Sequence, residues 1–330
     1  AAFSSRDSSS TGSRSSVNVQ DMRNRPAKTI RDYLVPMPSH LLTTTLSDLL
    51  NAPPPPSSSS VLMSSERAVP QGHHLVYFPL QTPASQLAFD GADKDHSPGE
   101  EFTKRMWAGG EVRFGGKGLA LDGSAWVCSE EIGDVRVKGA GRHDEKVFVD
   151  VWRRYGLGHD AESKGPGDWD IEERRTLVFM RKTEDDQGPA RLVKYAHPPT
   201  HSASLLPTPK HLFHFSALTY NAHSIHLDPL YAKSRDAHRA LLVHGPLSLA
   251  LMLRVLNDHV AAPDGGAVKS IVYRNYAPLY VGEKMSVCVR PAKRRAAEEE
   301  EEWDVWVEGP EGGMAVKGSV VMDAKKANLL

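Results

Sequence analysis

The alternation of hydrophobic and polar positions predicts a chain built mainly from β-strands. The clearest strand covers 146–153, where β-branched and aromatic residues predominate. Other short apolar runs, separated by clusters of Gly, Asp and Lys, predict strands at 74–78, 111–114, 119–128, 134–138 and 176–181. Ahead of them, leucines at helical spacing predict one amphipathic helix over 39–50, with Ser39 as its N-cap.

The second half of the chain contains a helix, 246–259, that is apolar on nearly every face. A helix with this pattern is expected to be buried and not to lie on a surface. The strands predicted after it cover 268–275, 284–290, 303–308 and 314–322. One buried helix with several antiparallel strands around it predicts an α+β protein. The first half has a similar succession of strands, although its own central helix is hard to see.

Shifts in composition divide the chain into four parts. We expect a disordered, transit-like segment (1–38), an N-terminal half (39–185) with a Pro/Ser spacer at 52–60, a polar linker (186–208) and a C-terminal half (209–330). Residues 1–31 are rich in Ser and Arg and poor in acidic residues. This composition is typical of a mitochondrial transit peptide, and the alternative is a plain disordered tail.

Charge and cysteine content narrow the classes of function. The 330 residues carry a formal net charge of −1, so the basic excess typical of a nucleic-acid-binding protein is missing. Cys128 and Cys288 lie far apart without a CxxC partner, which argues against a disulfide framework or a thiolate zinc site. No apolar run in the sequence reaches the length of a membrane-spanning helix.

The most informative segment is 215–228, a polar stretch that carries His223 and His226 shortly before the buried helix. Histidine titrates near neutrality, so one imidazole can accept and return a proton. The helix begins near Gly245 and Pro246, and its N-terminus offers unpaired N–H groups and a partial positive charge. Glycine also lets the backbone approach a ligand closely. Such groups can move a proton beside a carbonyl and hold negative charge on its oxygen.

The segment resembles the active-site motif of the MaoC-like (R)-specific enoyl-thioester hydratases. Within them it is most similar to the mitochondrial type 2 hydroxyacyl-thioester dehydratases and the mesaconyl-CoA hydratases. The family pattern is close to Asp-x-Asn-Pro-x-His, and the matching positions here are Asn221, His223, Ser224 and His226. The resemblance, which extends over about 39–325, implies a double hot-dog fold, with two antiparallel sheets that each wrap around a central helix.

A second block of residues carries the same resemblance in the N-terminal half. It is preceded by 73–78 and reads Lys104-Arg105-Met106-Trp107-Ala108-Gly109-Gly110. It resembles the Arg-Met-Trp-Ala-Gly-Gly block of the mesaconyl-CoA hydratases and their mitochondrial relatives. Two matched blocks in the right order are more specific than either block alone.

The resemblance implies catalytic roles for His226, Asn221 and Gly245. His226 matches the family's acid/base, and the backbone N–H of Gly245 matches the donor that faces the thioester oxygen. Asn221 stands where the family pattern has an acid, and an amide cannot exchange a proton as an acid or base. His226 would therefore carry both proton transfers or share them with a water that Asn221 orients. The mitochondrial and mesaconyl-CoA branch resembles this chain in having Asn there.

Five further residues are candidates for substrate binding, namely Tyr220, His223, His244, Arg105 and Trp107. For Trp107 and Tyr220 the alternative is a place in the core or at an interface. His223 is equally consistent with lining the active site and with a structural role. The histidines between 211 and 244 also raise the idea of a metal site, but no cysteine and few acids accompany them.

The function implied by the resemblance is reversible dehydration of (3R)-hydroxyacyl thioesters to trans-2-enoyl thioesters, in mitochondrial fatty acid synthesis in the matrix. No metal and no organic cofactor are expected, and the acyl group would ride on the phosphopantetheine of coenzyme A or acyl carrier protein. Dimers are common among hot-dog proteins, so the analogy allows a homodimer.

Three alternatives stay open at this stage. One is a mesaconyl- or itaconyl-CoA hydratase, in which Arg105 would hold the distal carboxylate. Another is a non-catalytic acyl-thioester-binding protein, because the acidic partner is lost. A hot-dog thioesterase is less well supported, because such enzymes usually activate water with a carboxylate and none replaces Asn221.

Overall fold

The computed structural model describes residues 17–57, 68–115, 119–181, 192–261, 267–292 and 301–323. Its helices are α1 (Val19–Arg23), α2 (Pro36–Leu49), α3 (Pro209–Thr219), α4 (Pro229–Ser234) and α5 (Gly245–His259). Short 3₁₀ turns lie at His73–Val76, Ala84–Gln86 and Ser224–His226. The strands are β1 (Lys28–Tyr33), β2 (Lys104–Phe114), β3 (Ala125–Lys138), β4 (Lys146–Leu157), β5 (Ile171–Met180), β6 (His201–Leu205), β7 (Val268–Asn275), β8 (Met285–Pro291), β9 (Glu301–Glu308) and β10 (Met314–Met322).

All of these strands belong to one antiparallel sheet, in the order β1-β3-β4-β5-β2-β7-β10-β9-β8-β6. Strands β1 to β5 form one half of the sheet and β6 to β10 the other, and the two halves have the same strand order when each is read from its outer edge to the centre. The chain therefore contains a structural repeat, although no repeat is visible in its amino-acid sequence. The two halves were expected to form separate sheets. Pairing of β2 with β7, from Gly109↔Arg274 to Arg113↔Ser270, joins them into a continuous one.

Helix α5 is the central helix of the C-terminal half. Leu247, Leu249, Leu251, Leu253 and Leu256 have no exposed surface, and the helix packs against β7, β8 and β9. Burying each leucine contributes about 1.5–3 kcal/mol relative to leaving it exposed. The prediction of a helix that is apolar on nearly every face and therefore buried is confirmed.

The N-terminal half has no described counterpart to α5. Between α2 and β2 the described residues form only two 3₁₀ turns, and one of them replaces the strand predicted at 74–78. The strand prediction is wrong because the chain turns at His73–Val76, and a run in which every residue is buried does not distinguish a 3₁₀ turn from a buried strand. Among the described residues, a helix placed like α5, directly before the strand that joins the two halves, is therefore found only in the C-terminal half.

The segment expected to be disordered is folded from residue 17 onward. Strand β1 pairs with β3 over its whole length, from Lys28↔Glu130 to Tyr33↔Ala125. Basic residues of this N-terminal segment, which contributed to the transit-like composition, make contacts with the rest of the chain. Arg23 lies 2.5 Å from Asp134, and Arg31 donates to the carbonyl of His159 at 2.9 Å. Residues 1–16 lie outside the described residues.

Replacing Met22 by Ala tests whether this segment is folded. Met22 on α1 is only 2% exposed and packs with the cluster that contains Val135 and Val149. The substitution should lower the free energy of unfolding by about 2–5 kcal/mol, as for other buried methionines. Denaturant unfolding measures this change. Gln20→Ala, on an exposed position of the same helix, is the control, and equal stability of both variants would contradict a folded segment.

Several other predicted elements have different bounds in the structure. The strand predicted at 119–128 begins only at Ala125 and continues through the one predicted at 134–138 as a single strand, β3, with an irregularity between Ile132 and Val135. The predicted linker 186–208 contains a strand, β6, which pairs with β8. Residues 182–191, and residues 58–60 of the Pro/Ser spacer, lie outside the described residues. Ser39 is not the cap of α2 but lies inside the helix, where its hydroxyl is 2.7 Å from Nδ1 of His73.

Candidate active site

A cavity of about 560 Å³ lies against both halves of the chain. All of the sequence-predicted site residues line it, namely Arg105, Trp107, Tyr220, Asn221, His223, His226, His244 and Gly245. Strand β2 supplies the first two, and the segment from α3 to the start of α5 supplies the others. The structure therefore brings together the two sequence blocks that the resemblance singled out.

His226 lies at the end of the 3₁₀ turn Ser224–His226, and its ring is fixed from two sides. Nδ1 lies 2.8 Å from the carbonyl oxygen of Leu242, so Nδ1 carries the hydrogen and donates it. The ring of His244 stacks on it, with 3.7 Å between centroids and 20° between planes. This tautomer leaves Nε2 as an acceptor, and Nε2 has no hydrogen-bond partner among the described residues.

The surroundings of His226 favour its neutral form. Burial lowers its pKa well below the usual 6.5, and the neighbouring His244 and His223 lower it further. Burial likewise lowers the pKa of His244 to about 3, and its Nε2 lies 2.9 Å from the hydroxyl of Ser216. At neutral pH both imidazoles are therefore uncharged, and His226 is available to accept a proton.

Gly245 is the first residue of helix α5, and there is no room for a side chain at this position. A Cβ atom placed on it would lie 2.9 Å from Cβ and Cγ of Trp107, closer than real Cβ contacts. Trp107 is itself held in place, because its Nε1 donates to the hydroxyl of Tyr273 at 2.8 Å and its carbonyl accepts from Asn275 at 2.7 Å. Close packing of the α5 N-terminus against Trp107 therefore requires glycine at this position, and this N-terminus lines the cavity.

Asn221 shapes the turn that follows α3. Its Oδ1 accepts the backbone N–H of His223 at 3.0 Å, which forms an Asx turn. Because Oδ1 is used in this turn, mainly the Nδ2 group of Asn221 is left to donate a hydrogen bond. The preceding Tyr220 adopts a left-handed backbone conformation, with φ 54°, and is 65% exposed. Tyr220 therefore belongs to the outer part of the site and not to the core.

Asp90 is a residue of the site that sequence reasoning missed. Its Oδ2 lies 3.1 Å from Nε2 of His223, and both side chains are buried. In the sequence, Asp90-Gly91 reads only as a turn, and nothing there indicates that it meets the motif more than 130 positions later. Arg105 binds the same loop, because its Nη1 donates to the carbonyl of Asp93 at 3.0 Å.

A buried network of charges in the N-terminal half was also not predicted. Glu173 on β5 lies 2.8 Å from Arg175 and accepts the hydroxyl of Tyr155 at 2.6 Å. Glu130 on β3 lies 3.1 Å from Arg153, and both arginines line the cavity. The alternation of charged residues along β3, β4 and β5 could have suggested solvent-facing positions, but here the charges pair with each other in the interior.

The described parts of the chain contain neither a metal-binding cluster nor a membrane-spanning helix. No group of three or more His, Cys, Asp or Glu side chains there is placed to hold a metal ion. None of the helices in these ranges has the length and apolar character needed to cross a bilayer.

This chain is similar to two known proteins over most of its length. The mesaconyl-C4-CoA hydratase of Chloroflexus aurantiacus is 28% identical over 267 residues, covering 78% of this chain and 85% of that protein. The mitochondrial hydroxyacyl-thioester dehydratase type 2 of Schizosaccharomyces pombe is 27% identical over 281 residues, covering 79% and 89%.

A solved structure confirms the predicted double hot-dog fold. It is a MaoC-like dehydratase from Phytophthora capsici, with a TM-score of 0.61 and 16% identity, covering 92% of this chain and 98% of that one. Residues 72–281 match the family described as hydroxyacyl-thioester dehydratase type 2. This match spans more than half of the sequence and identifies a hydro-lyase. The chain therefore belongs to the hydroxyacyl-thioester dehydratase type 2 family.

Proposed function

We propose that this protein catalyses the reversible dehydration of (3R)-hydroxyacyl thioesters to trans-2-enoyl thioesters. The observation that supports this most directly is the state of His226. Its Nδ1 donates to Leu242 and burial keeps the ring neutral, so Nε2 is a base in the cavity that Gly245 also lines. A base beside a helix N-terminus suits the removal of a proton next to a thioester carbonyl.

In this proposal His226, Gly245 and Asn221 each act on a different part of the substrate. Nε2 of His226 takes the proton from C2, and the electron pair of that C–H bond moves toward the thioester carbonyl. The backbone N–H of Gly245, with the partial charge of the α5 N-terminus, stabilises the negative charge on the thioester oxygen. Asn221 orients the departing water through Nδ2, since its Oδ1 is occupied by the N–H of His223.

The carrier and the compartment are further parts of the proposal. The acyl group would be carried on the phosphopantetheine of coenzyme A or of acyl carrier protein, and the reaction would need no metal or organic cofactor. We place the protein in the mitochondrial matrix, in fatty acid synthesis, because the Schizosaccharomyces pombe relative is described as mitochondrial. A homodimer stays a prediction by analogy with other hot-dog proteins.

A second candidate function is hydration of a dicarboxylic thioester of the mesaconyl-CoA kind. The supporting observation is that three arginines, Arg105, Arg153 and Arg175, line the cavity and could receive a distal carboxylate. The Chloroflexus aurantiacus relative is described as such a hydratase. Against it, Arg153 and Arg175 already pair with Glu130 and Glu173, so these pairs carry no net charge.

Hydration of crotonyl-CoA by the purified full-length chain tests the proposal, with loss of enoyl absorbance as the signal. We expect turnover to the (3R)-alcohol, and a kcat/KM higher for crotonyl-CoA than for mesaconyl-C4-CoA. The reverse preference would favour the dicarboxylic function. Folded protein that turns over neither thioester but binds them would contradict both, as would hydrolysis of the thioester bond with release of free thiol.

A further inference from the structure

The motif of this chain lacks an acid at Asn221, yet dehydration requires a proton for the departing hydroxyl. A hydroxide ion is a poor leaving group, so a positioned acid commonly accelerates such a step by about 10²–10⁴-fold. Asn221 cannot supply that proton, because an amide is neither an acid nor a base near neutral pH. The site must therefore obtain it from His226, from water, or from another residue that lines the cavity.

Asp90 and His223 lie where such a residue is needed. The carboxylate is 3.1 Å from Nε2 of His223, and Asp90 and His223 are only 7% and 4% exposed. His223 lines the cavity together with His226, and the two rings are perpendicular with 5.7 Å between their centroids. A carboxylate bound to one nitrogen of an imidazole fixes its tautomer and stabilises its protonated form.

The loop that carries Asp90 is held firmly against the motif. The backbone carbonyl of Asp90 accepts the N–H of Ser224 at 2.7 Å, and its Oδ1 accepts the N–H of Ala92 at 2.9 Å. Gly91 has φ +78°, and a Cβ there would lie 2.2 Å from the carbonyl oxygen of Ala222. These contacts require a residue without a side chain at position 91 and fix the carboxylate relative to His223.

The surroundings of Asp90 also keep its carboxylate negatively charged. Burial by itself raises the pKa of Asp90, but the hydrogen bond and charge of His223 and the N–H of Ala92 outweigh it and hold the pKa below 3.8. Arg105 acts in the same direction from the neighbouring strand. Asp90 is therefore ionised at neutral pH and can act on His223 as an anion.

We propose that Asp90 and His223 replace the acid missing at Asn221, with His223 as the catalytic proton donor and Asp90 as its positioning carboxylate. This inference rests on the proposed dehydratase function. In dehydration, the C2–H bond breaks and its proton goes to Nε2 of His226. The C3–O bond breaks, and the hydroxyl leaves as water with the proton of His223 Nδ1, while Nε2 of the same ring stays bound to Asp90. One proton then passes from His226 to His223 through water, which restores the starting state, and hydration follows the same steps in reverse.

The test compares two leaving groups at C3, using 3-hydroxybutyryl-CoA and 3-chlorobutyryl-CoA. Chloride departs as a stable anion and needs no proton, whereas hydroxide needs one. Asp90→Asn and His223→Gln should slow elimination from the hydroxy substrate by about 10²–10³-fold. Elimination from the chloro substrate should stay within about tenfold of the wild-type rate, because its base, His226, is still present.

Asp93→Asn is the matched control, because it removes a carboxylate from the same loop and Asp93 has no hydrogen bond or ion pair with His223. An Asp90→Asn variant that is folded by denaturant unfolding but slows both substrates equally shows that the loss is not in proton donation, and one that slows neither leaves no role for the carboxylate. Either result overturns the inference while leaving the dehydratase function in place. A wild-type chain that does not dehydrate the hydroxy substrate overturns the function and the inference together.

Discussion

Replacing His226 by Ala should reduce kcat for dehydration by about 10³–10⁴-fold, near the upper end for loss of an acid–base group. The reason is that Nε2 of His226 is the proposed acceptor of the C2 proton and stands without another partner among the described residues. KM should change little, because the imidazole acts on the proton and the thioester oxygen is held by Gly245. Initial rates of enoyl formation from 3-hydroxybutyryl-CoA measure both constants.

The control for this variant is His214→Ala, which removes an exposed histidine from helix α3. Loss of the hydrogen bond from His226 to Leu242 costs about 0.5–1.5 kcal/mol of stability, so the variant should still fold. Unfolding by denaturant checks this point. A folded His226→Ala variant that keeps more than about a tenth of wild-type kcat would rule out this histidine as the base.

The pH dependence of the wild-type reaction follows from the same residue. His226 accepts a proton only when neutral, and burial lowers its pKa well below 6.5. The acid limb of the kcat/KM profile for dehydration should therefore lie below pH 6.5. A limb at or above that value would contradict a buried, neutral His226 in the free enzyme.

Replacing Glu173 by Gln should lower the free energy of unfolding by about 3–5 kcal/mol, because removal of one partner leaves a buried charge unpaired. Glu173 has no exposed surface, lies 2.8 Å from Arg175 and accepts the hydroxyl of Tyr155. Glu172→Gln, the next residue on the same strand, is the control. Its partner Arg154 lies 3.3 Å away on a partly exposed face, so this loss should cost about 1 kcal/mol or less. Equal destabilisation of the two variants would show that the network does not stabilise the fold.

The same network makes stability depend on pH in a defined direction. Burial raises the pKa of Glu173, but Arg175 and His74 outweigh it and bring the pKa to about 2, below the ordinary 4.5. The stabilisation is therefore complete above about pH 4.5 and is lost as pH falls from there toward 2. Burial lowers the pKa of His74 to about 4, which adds a loss of stability between pH 6.5 and 4. Denaturant unfolding across this range should show a shallower acid slope for Glu173→Gln.

The hydrophobic and polar pattern of the sequence was sufficient to predict helices and strands whose formation depends on neighbouring residues. Strands β7 and β10 have the predicted bounds, and α5 begins one residue before the prediction. The candidate residues of the motif and of the helix that follows it meet at one cavity because they are close in the chain. Arg105 and Trp107 lie far from them in sequence and line the same cavity from β2, which pairs with β7. The individual roles of those residues stay predictions until the variants are measured.

Contacts between distant segments were not predictable from such patterns. The basic residues of 1–31 were interpreted together as a transit signal, because sequence composition does not show that Arg23 on α1 meets Asp134 or that β1 extends the edge of the sheet. Asp90 was missed for the same reason, since its partner His223 belongs to the other half. The prediction of a strand at 74–78 was wrong because a run of consecutive apolar residues has no hydrophobic periodicity that distinguishes a strand from a turn. Both a tight turn and a buried strand can bury such a run.

The pairing of β2 with β7 has a consequence for how the enzyme would select its substrates. Backbone hydrogen bonds over five residue pairs hold the two halves at a fixed separation, directly beside Trp107 and the start of α5. A longer acyl chain could not gain room by rotation of one half away from the other, because that movement would break the ladder. Differences in chain-length preference among relatives with this architecture should therefore come from side chains that fill the cavity, and not from domain motion.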